Sequence, residues 1–342
     1  MKRLVVLVLV LSIAFAGIFG WVVTHPPTSG ATTMWRLKPG ENIRTVANRL
    51  VEEGRIPSWS APAFRWTARL RGLDRRIRPG FYDLRDTMSV WEAVSVLSGP
   101  SRPGLRATLP EGRTCQDLSG ILQRAQVIAD SAAFAAMCRD TAVARKLGIP
   151  GHTGLEGYLF PDTYLFDGTE SPLDVARIMY KHHLQVLTEV GDSASPVVKA
   201  YGWHGAVTLA SIVEREAAVR SEAPRIAGVF WLRLQQGIPL GADPTVRYAL
   251  GKFTGSLKKS ELALDSKYNT RLYAGLTPGP IANPGRDALK AAFHPDTEGG
   301  WLYFVAKDDG SREHFFARDL NQHVKFKNIA ARNRTNSGVM AP

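Results

Sequence analysis

Apolar residues are distributed along this chain in three ways. Leu4 to Val23 is a continuous apolar run, broken by nothing more polar than Ser12 and closed by His25-Pro26-Pro27. From Met34 to Gly104 short patterns alternate. Met34-Trp35-Arg36-Leu37 and Phe81-Tyr82-Asp83-Leu84 read as strands, and Ile43, Val46, Ala47 and Leu50 recur at helical spacing before Gly54. Further helices are expected over Ala61 to Leu70 and Val90 to Leu97. After the turn-forming stretch Ser98-Gly99-Pro100-Ser101-Arg102-Pro103-Gly104, a strand over Leu105 to Leu109 opens a longer region. Its helices are expected at Cys115 to Arg124, Ser131 to Arg139, Pro172 to Val190, Val207 to Arg220 and Pro224 to Gln236. Leu155 to Phe166 is aromatic and punctuated by Gly and Pro, Pro239 to Pro284 reads mostly as loop, and Trp301 to Ala306 reads as a strand.

The pattern predicts an α+β protein without internal repeats. Twenty apolar residues of helix span ~30 Å, the thickness of a bilayer's hydrocarbon layer. Residues 1–23 are therefore expected to be a transmembrane anchor, 24–33 a tether, 34–104 a small α/β module, 105–330 a mixed α+β domain and 331–342 a flexible tail. Ala14-Phe15-Ala16 fits a signal-peptidase site as an alternative, but the apolar run continues well past it. Lys2 and Arg3 place the amino terminus in the cytoplasm by the positive-inside tendency. That makes the expected location a single pass of the inner membrane, with the larger domain periplasmic.

Charge then changes the choice of partner. A formal net charge of +12 ordinarily raises nucleic acid. Export argues against it, and an anionic wall polymer or acidic lipid face suits the expected location better. Cys115 and Cys138 are close enough in number to a single pair for an oxidising compartment, but nothing in their spacing fixes a bond. The chain has no GxxxxGK[ST], no GxGxxG after a strand, no HExxH, no paired CxxC and no GxSxG. His182 and His183 point about 100° apart on a helix, a poor arrangement for one shared ion. No metal or other cofactor is called for.

Candidate chemistry concentrates in Thr208-Leu209-Ala210-Ser211-Ile212-Val213-Glu214-Arg215-Glu216. At about 100° per residue, Leu209, Ile212, Val213 and Glu216 share one face, and Glu214 points away, ready for solvent. A glutamate among apolar side chains either closes a salt bridge or has its pKa raised by desolvation, as a general acid at neutral pH requires. Leu155-Glu156-Gly157-Tyr158-Leu159-Phe160-Pro161-Asp162-Thr163-Tyr164 sets two carboxylates among three aromatic rings. Such a cluster serves a sugar-binding cleft or an ordinary core. Asp243 in Ala242-Asp243-Pro244-Thr245 reads as a helix cap, and Tyr268-Asn269-Thr270 leads into the proline-braced Gly275-Leu276-Thr277-Pro278-Gly279-Pro280-Ile281.

These segments, with Leu109-Pro110-Glu111-Gly112, Ala282-Asn283-Pro284-Gly285, Tyr303-Phe304-Val305-Ala306 and His314-Phe315-Phe316, occur in an order that resembles the endolytic murein transglycosylase family, the YceG-like proteins. The resemblance implies a LysM-like domain at 34–104 and a YceG-like catalytic domain at 105–330. It also implies a lyase that cuts the MurNAc–GlcNAc β-1,4 bond of nascent peptidoglycan strands, limits their length and leaves 1,6-anhydro-MurNAc ends. Peptidoglycan synthases are implied as partners. The family's catalytic glutamate falls on Glu216, with Glu156, Tyr158, Asp162, Asp243, Thr245, Tyr268, Asn269 and Thr270 binding substrate or supporting the site. Arg271 and Ala317 depart from the family pattern, which often has an aromatic and a small polar residue there. Two rival readings stand beside it: a hydrolytic muramidase using Glu156 or Asp162 as partner carboxylate, and a non-enzymatic wall-binding assembly protein.

Overall fold

The computed structural model describes residues 10–18, 20, 30–38, 40–73, 77–101, 104–151 and 154–337, without the side chains of 336 and 337. By its internal contacts the chain forms two units. One runs up to Leu105 and takes in Leu165–Thr169; the other comprises Arg106–Tyr164 and the chain from Glu170 onward.

The expected membrane anchor is corrected by the structure. Among the described residues no helix is long and apolar enough to cross a membrane. The single-pass inner-membrane topology built on that anchor, with its cytoplasmic amino terminus and periplasmic domain, goes with it. The rest of the expected anchor, and most of the expected tether, lie outside the described residues.

In the first unit β1 (Thr32–Leu37) pairs antiparallel with β2 (Gly80–Arg85), Trp35 opposite Tyr82. Between them run α1 (Ile43–Glu52) and α2 (Ala61–Leu70), and α3 (Val90–Ser98) follows β2. Local chemistry sets the ends. Asn42 Oδ1 accepts from the amides of Arg44 and Thr45 at 3.0 Å each, satisfying donors that a helix start leaves unpaired. Ser89 Oγ does the same for Glu92 at the start of α3. Trp35, Val46, Leu50, Phe64, Leu84 and Leu97 pack into one core.

Strand β3 (Leu105–Thr108) pairs with β4 (Thr163–Phe166), and the second unit takes in β3 from Arg106 and β4 as far as Tyr164. Between these strands lie α4 (Cys115–Arg124), α5 (Ser131–Arg139) and α6 (Thr141–Leu147). Then come α7 (Pro172–Val190), α8 (Pro196–Glu216), α9 (Ala223–Gln235), α10 (Asp243–Leu250), a short α11 (Lys259–Leu262) and α12 (Arg286–Phe293). The antiparallel ribbon of β5 (Tyr303–Ala306) and β6 (His314–Ala317) and a last helix, α13 (Leu320–Ser337), complete it.

Helix α8 is the axis of this unit. Helices α12, α9 and α10 pack around it, and every residue from Gly205 to Val213 is buried. A helix buried on all sides carries no amphipathic phase. The expectation that Glu214 faces solvent therefore fails, because the side opposite Leu209 is covered as well. The helix also begins earlier than Val207, with Pro196 in its first turn, and it bends at Gly202, whose φ of 68° and ψ of −179° suit glycine almost alone. It stops at Glu216 rather than Arg220.

Candidate functional site

Glu216 is the last residue of α8, where the buried helix meets a cavity of about 560 Å³. Phe230 and Arg233 of α9, the segment Leu240-Gly241-Ala242-Asp243, Arg271, and Tyr303 and Phe304 of β5 line it with Glu216. Leu320, His323, Val324 and Lys327 of α13 complete the lining. The Glu216 side chain makes no hydrogen bond to any described residue. Burial, and then the charge of Asp243, push its pKa up to about 7, with Arg215 pulling the other way. Half-buried, unpartnered and poised near neutrality, it can both give and take a proton.

The wall beside it is braced from behind. Asp243 is the first residue of α10 and does not cap it; its carboxylate pairs with Arg271 at 2.6 Å. Thr245 and Thr270, both buried, join their hydroxyls at 2.9 Å. The Thr270 hydroxyl accepts from Ala242 N at 3.1 Å, and its carbonyl accepts from Gly241 N at 2.8 Å. Fully buried Asn269 donates to the carbonyls of Leu262 and Leu264 at 3.0 and 2.8 Å and accepts from Arg271 N at 3.1 Å. Thr245, Asn269 and Thr270 thus hold the cavity-lining loops in shape from within the protein.

Glu214 and Glu156 belong to a second web. Gly285 N donates to Glu214 at 3.0 Å, and burial raises the Glu214 pKa to about 7. The centre of the web is Asn283. Its side-chain oxygen accepts from Gly157 N and Leu159 N at 3.0 Å each, and its amide donates to Arg113 O at 3.0 Å and to Glu156 at 3.1 Å. Glu156 also accepts from Cys115 N at 3.0 Å. Burial drives its pKa up to about 8 despite those donors. It lines a separate cavity of about 270 Å³ with Tyr248, Cys115 and Cys138, both free thiols.

The remaining sequence candidates stand apart from Glu216. Tyr158 is buried, its hydroxyl 2.7 Å from His204 Nδ1 and its ring packed on His183 and Tyr180. Exposed Asp162 faces His182 at 3.5 Å, and Tyr268 packs on Tyr248 with ring centres 5.2 Å apart. Among the described residues no group of three or more His, Cys, Asp or Glu is placed to hold a metal ion.

Residues 35–329 match the sequence model of the YceG-like family. The chain is also 33% identical, over 314 residues, to the endolytic murein transglycosylase of Bacillus subtilis (strain 168), a match covering 87% of this chain and 85% of that protein. The chain belongs to the YceG-like family of endolytic murein transglycosylases. It is 27% identical to the endolytic murein transglycosylase of Streptococcus pneumoniae (strain ATCC BAA-255 / R6), and it spans 56% of that longer protein. A crystal structure of a YceG-like protein from Listeria monocytogenes superposes with a TM-score of 0.58 at 26% identity, covering 87% of this chain and 99% of that one.

Set against the YceG-like motifs, the cavity contains residues that sequence reasoning passed over. Arg233, His323 and Lys327 were not singled out, and Arg271 stood only as a departure. A signal existed for the last helix: Leu320, His323, Val324 and Lys327 fall at i, i+3, i+4 and i+7, one helical face. With only two of those four apolar, the pattern is faint.

Proposed function

We propose that this chain is an endolytic lytic transglycosylase that cuts the MurNAc–GlcNAc β-1,4 bond of peptidoglycan strands, with Glu216 as its acid and base. The observation that carries this reading is a half-buried, unpartnered glutamate with its pKa raised to about 7 in a 560 Å³ cavity, in a chain of this family. Glu216 protonates the glycosidic oxygen as the bond opens through an oxocarbenium-like state. The resulting carboxylate then takes the proton of the muramyl C6 hydroxyl, which closes onto C1. Because the nucleophile is part of the same sugar, high effective molarity replaces an enzyme nucleophile or a bound water.

Lining side chains support this division of labour. Partly exposed Tyr303 and Phe304 offer apolar surface for the C–H faces of sugars, with fully buried Phe230 packed behind them, and Asp243 raises the proton affinity of Glu216. The test is mass analysis of muropeptides after purified protein meets uncrosslinked strands. Wild type should yield anhydro-muramyl ends. Glu216→Gln should keep its fold by circular dichroism and lose at least about a hundredfold in rate, the usual contribution of a positioned acid. Near-wild-type turnover by that variant would remove Glu216 from the mechanism.

A further inference from the structure

One face of α13 forms a wall of the Glu216 cavity and alternates in character: Leu320 and Val324 are exposed apolar residues, His323 and Lys327 basic ones. The charges around the cavity are unevenly satisfied. Asp243 and Arg271 neutralise each other. Arg233 is held by the chain itself, its Nε donating to Leu302 O at 2.6 Å and its Nη1 to Leu240 O at 2.8 Å and Pro239 O at 3.2 Å. Burial and the charges of Lys327 and Arg233 hold the pKa of His323 below its ordinary value, which favours the neutral ring and leaves no counter-charge there. Its Nδ1 is buried without a partner. Among the described cations of the cavity, Lys327 alone has neither an ion pair nor a hydrogen bond.

A free cation inside a glycan site matters because of what murein offers. Its two sugars share the same ring and the same acetamido group, and both kinds of linkage are β-1,4. What distinguishes muramyl from glucosaminyl is the lactyl arm on O3, which bears a carboxylate when bare and carries the carboxylates of a peptide when substituted. An enzyme that cuts after one sugar and not the other has to read that arm.

We propose that Lys327 is a specificity residue of this site, its ammonium receiving a carboxylate carried on the muramyl lactyl arm while Leu320 and Val324 pack beneath the bound strand. The proposal rests on the murein reading above and goes further by naming the group that is recognised. Lys327 is exposed, so the pair it forms is a modest one, of a size that sets KM and register rather than the rate of bond breaking.

The experiment uses the full chain as wild type, Lys327→Met and Lys327→Arg, on three uncrosslinked substrates. These are strands bearing stem peptides, strands stripped of peptides by an amidase so that the lactyl carboxylate is free, and peptide-bearing strands whose carboxylates have been amidated. Lys327→Met should raise KM about three- to fivefold on strands that carry the recognised carboxylate, with the smaller change in kcat, and Lys327→Arg should restore it. On amidated strands wild type and Lys327→Met should coincide. An effect confined to stripped strands assigns the lactyl carboxylate, and one confined to peptide-bearing strands assigns the peptide. An equal loss on amidated and unmodified strands, or none on any, overturns the proposal. If wild type cleaves no strand at all, the proposed function fails and takes this inference with it.

Discussion

The proton affinity of Glu216 is set by its surroundings in a way that can be tested one residue at a time. Burial and the Asp243 charge hold the group protonated up to about pH 7. A general acid acts in its protonated form, so the rate should be level below pH 7 and fall as pH rises through it. Asp243→Asn removes the negative neighbour and frees Arg271, and both changes favour the carboxylate. The alkaline limb of the pH–kcat profile should therefore move to lower pH; a limb that stays in place would uncouple Asp243 from the group that titrates. At this scale the sequence was partly readable. It shows two glutamates two residues apart but not their environments: helical phase sends Glu214 to solvent, whereas in the fold Gly285 N and the segment around Gly112 enclose it. The candidates Glu156, Tyr158 and Asp162 carry the right chemical types, yet only Glu216 and Asp243 of all those named reach the cavity. Proximity in sequence says nothing of which side of a core a side chain will occupy.

Between elements, the motifs spread along the chain meet at Asn283. Four hydrogen bonds tie it to the segments that contain Arg113, Glu156, Gly157 and Leu159. It has no catalytic reach, since it is fully buried. Asn283→Ala would leave the amides of Gly157 and Leu159 buried without an acceptor, at about 1–3 kcal/mol each. For a domain of this size that is a fall in Tm of roughly 10 °C, measurable by calorimetry. A variant as stable as wild type would show that the web is not what joins these loops. The same scale explains which elements could be read in advance. Helices α4, α5 and α7 have capping side chains at their starts and mixed apolar and polar faces, and their boundaries follow from those signals. Helix α12 is eight residues long and starts after Gly285 with no capping side chain, and β6 is a four-residue strand whose partner is β5, so both give only short local signals.

For the whole molecule the question is which reaction the assembled cavity runs, and the decisive quantity is the second carboxylate. A retaining hydrolase needs a partner acid ~5–5.5 Å from the first, and an inverting one needs it ~6.5–9.5 Å away with room for water. Asp243 is the second acid lining the Glu216 cavity, and it is committed to Arg271 at 2.6 Å. Glu156 lines a different cavity and holds its proton up to about pH 8, so at neutral pH it is a poor base for activating water. Asp162 faces His182 outside the Glu216 cavity. An intramolecular route requires none of these groups, only that the muramyl C6 hydroxyl reach C1 while Glu216 stands ready to receive its proton. Digestion of strands in heavy-oxygen water should therefore leave every new muramyl end with the mass of its anhydro form and with no label. Heavy oxygen at the new ends would mean that water attacks C1. Asp243, released from Arg271 by the bound substrate, would then be the group to test as base. Under that outcome Asp243→Asn would abolish labelled product, whereas in the anhydro route it only shifts the pH at which Glu216 works.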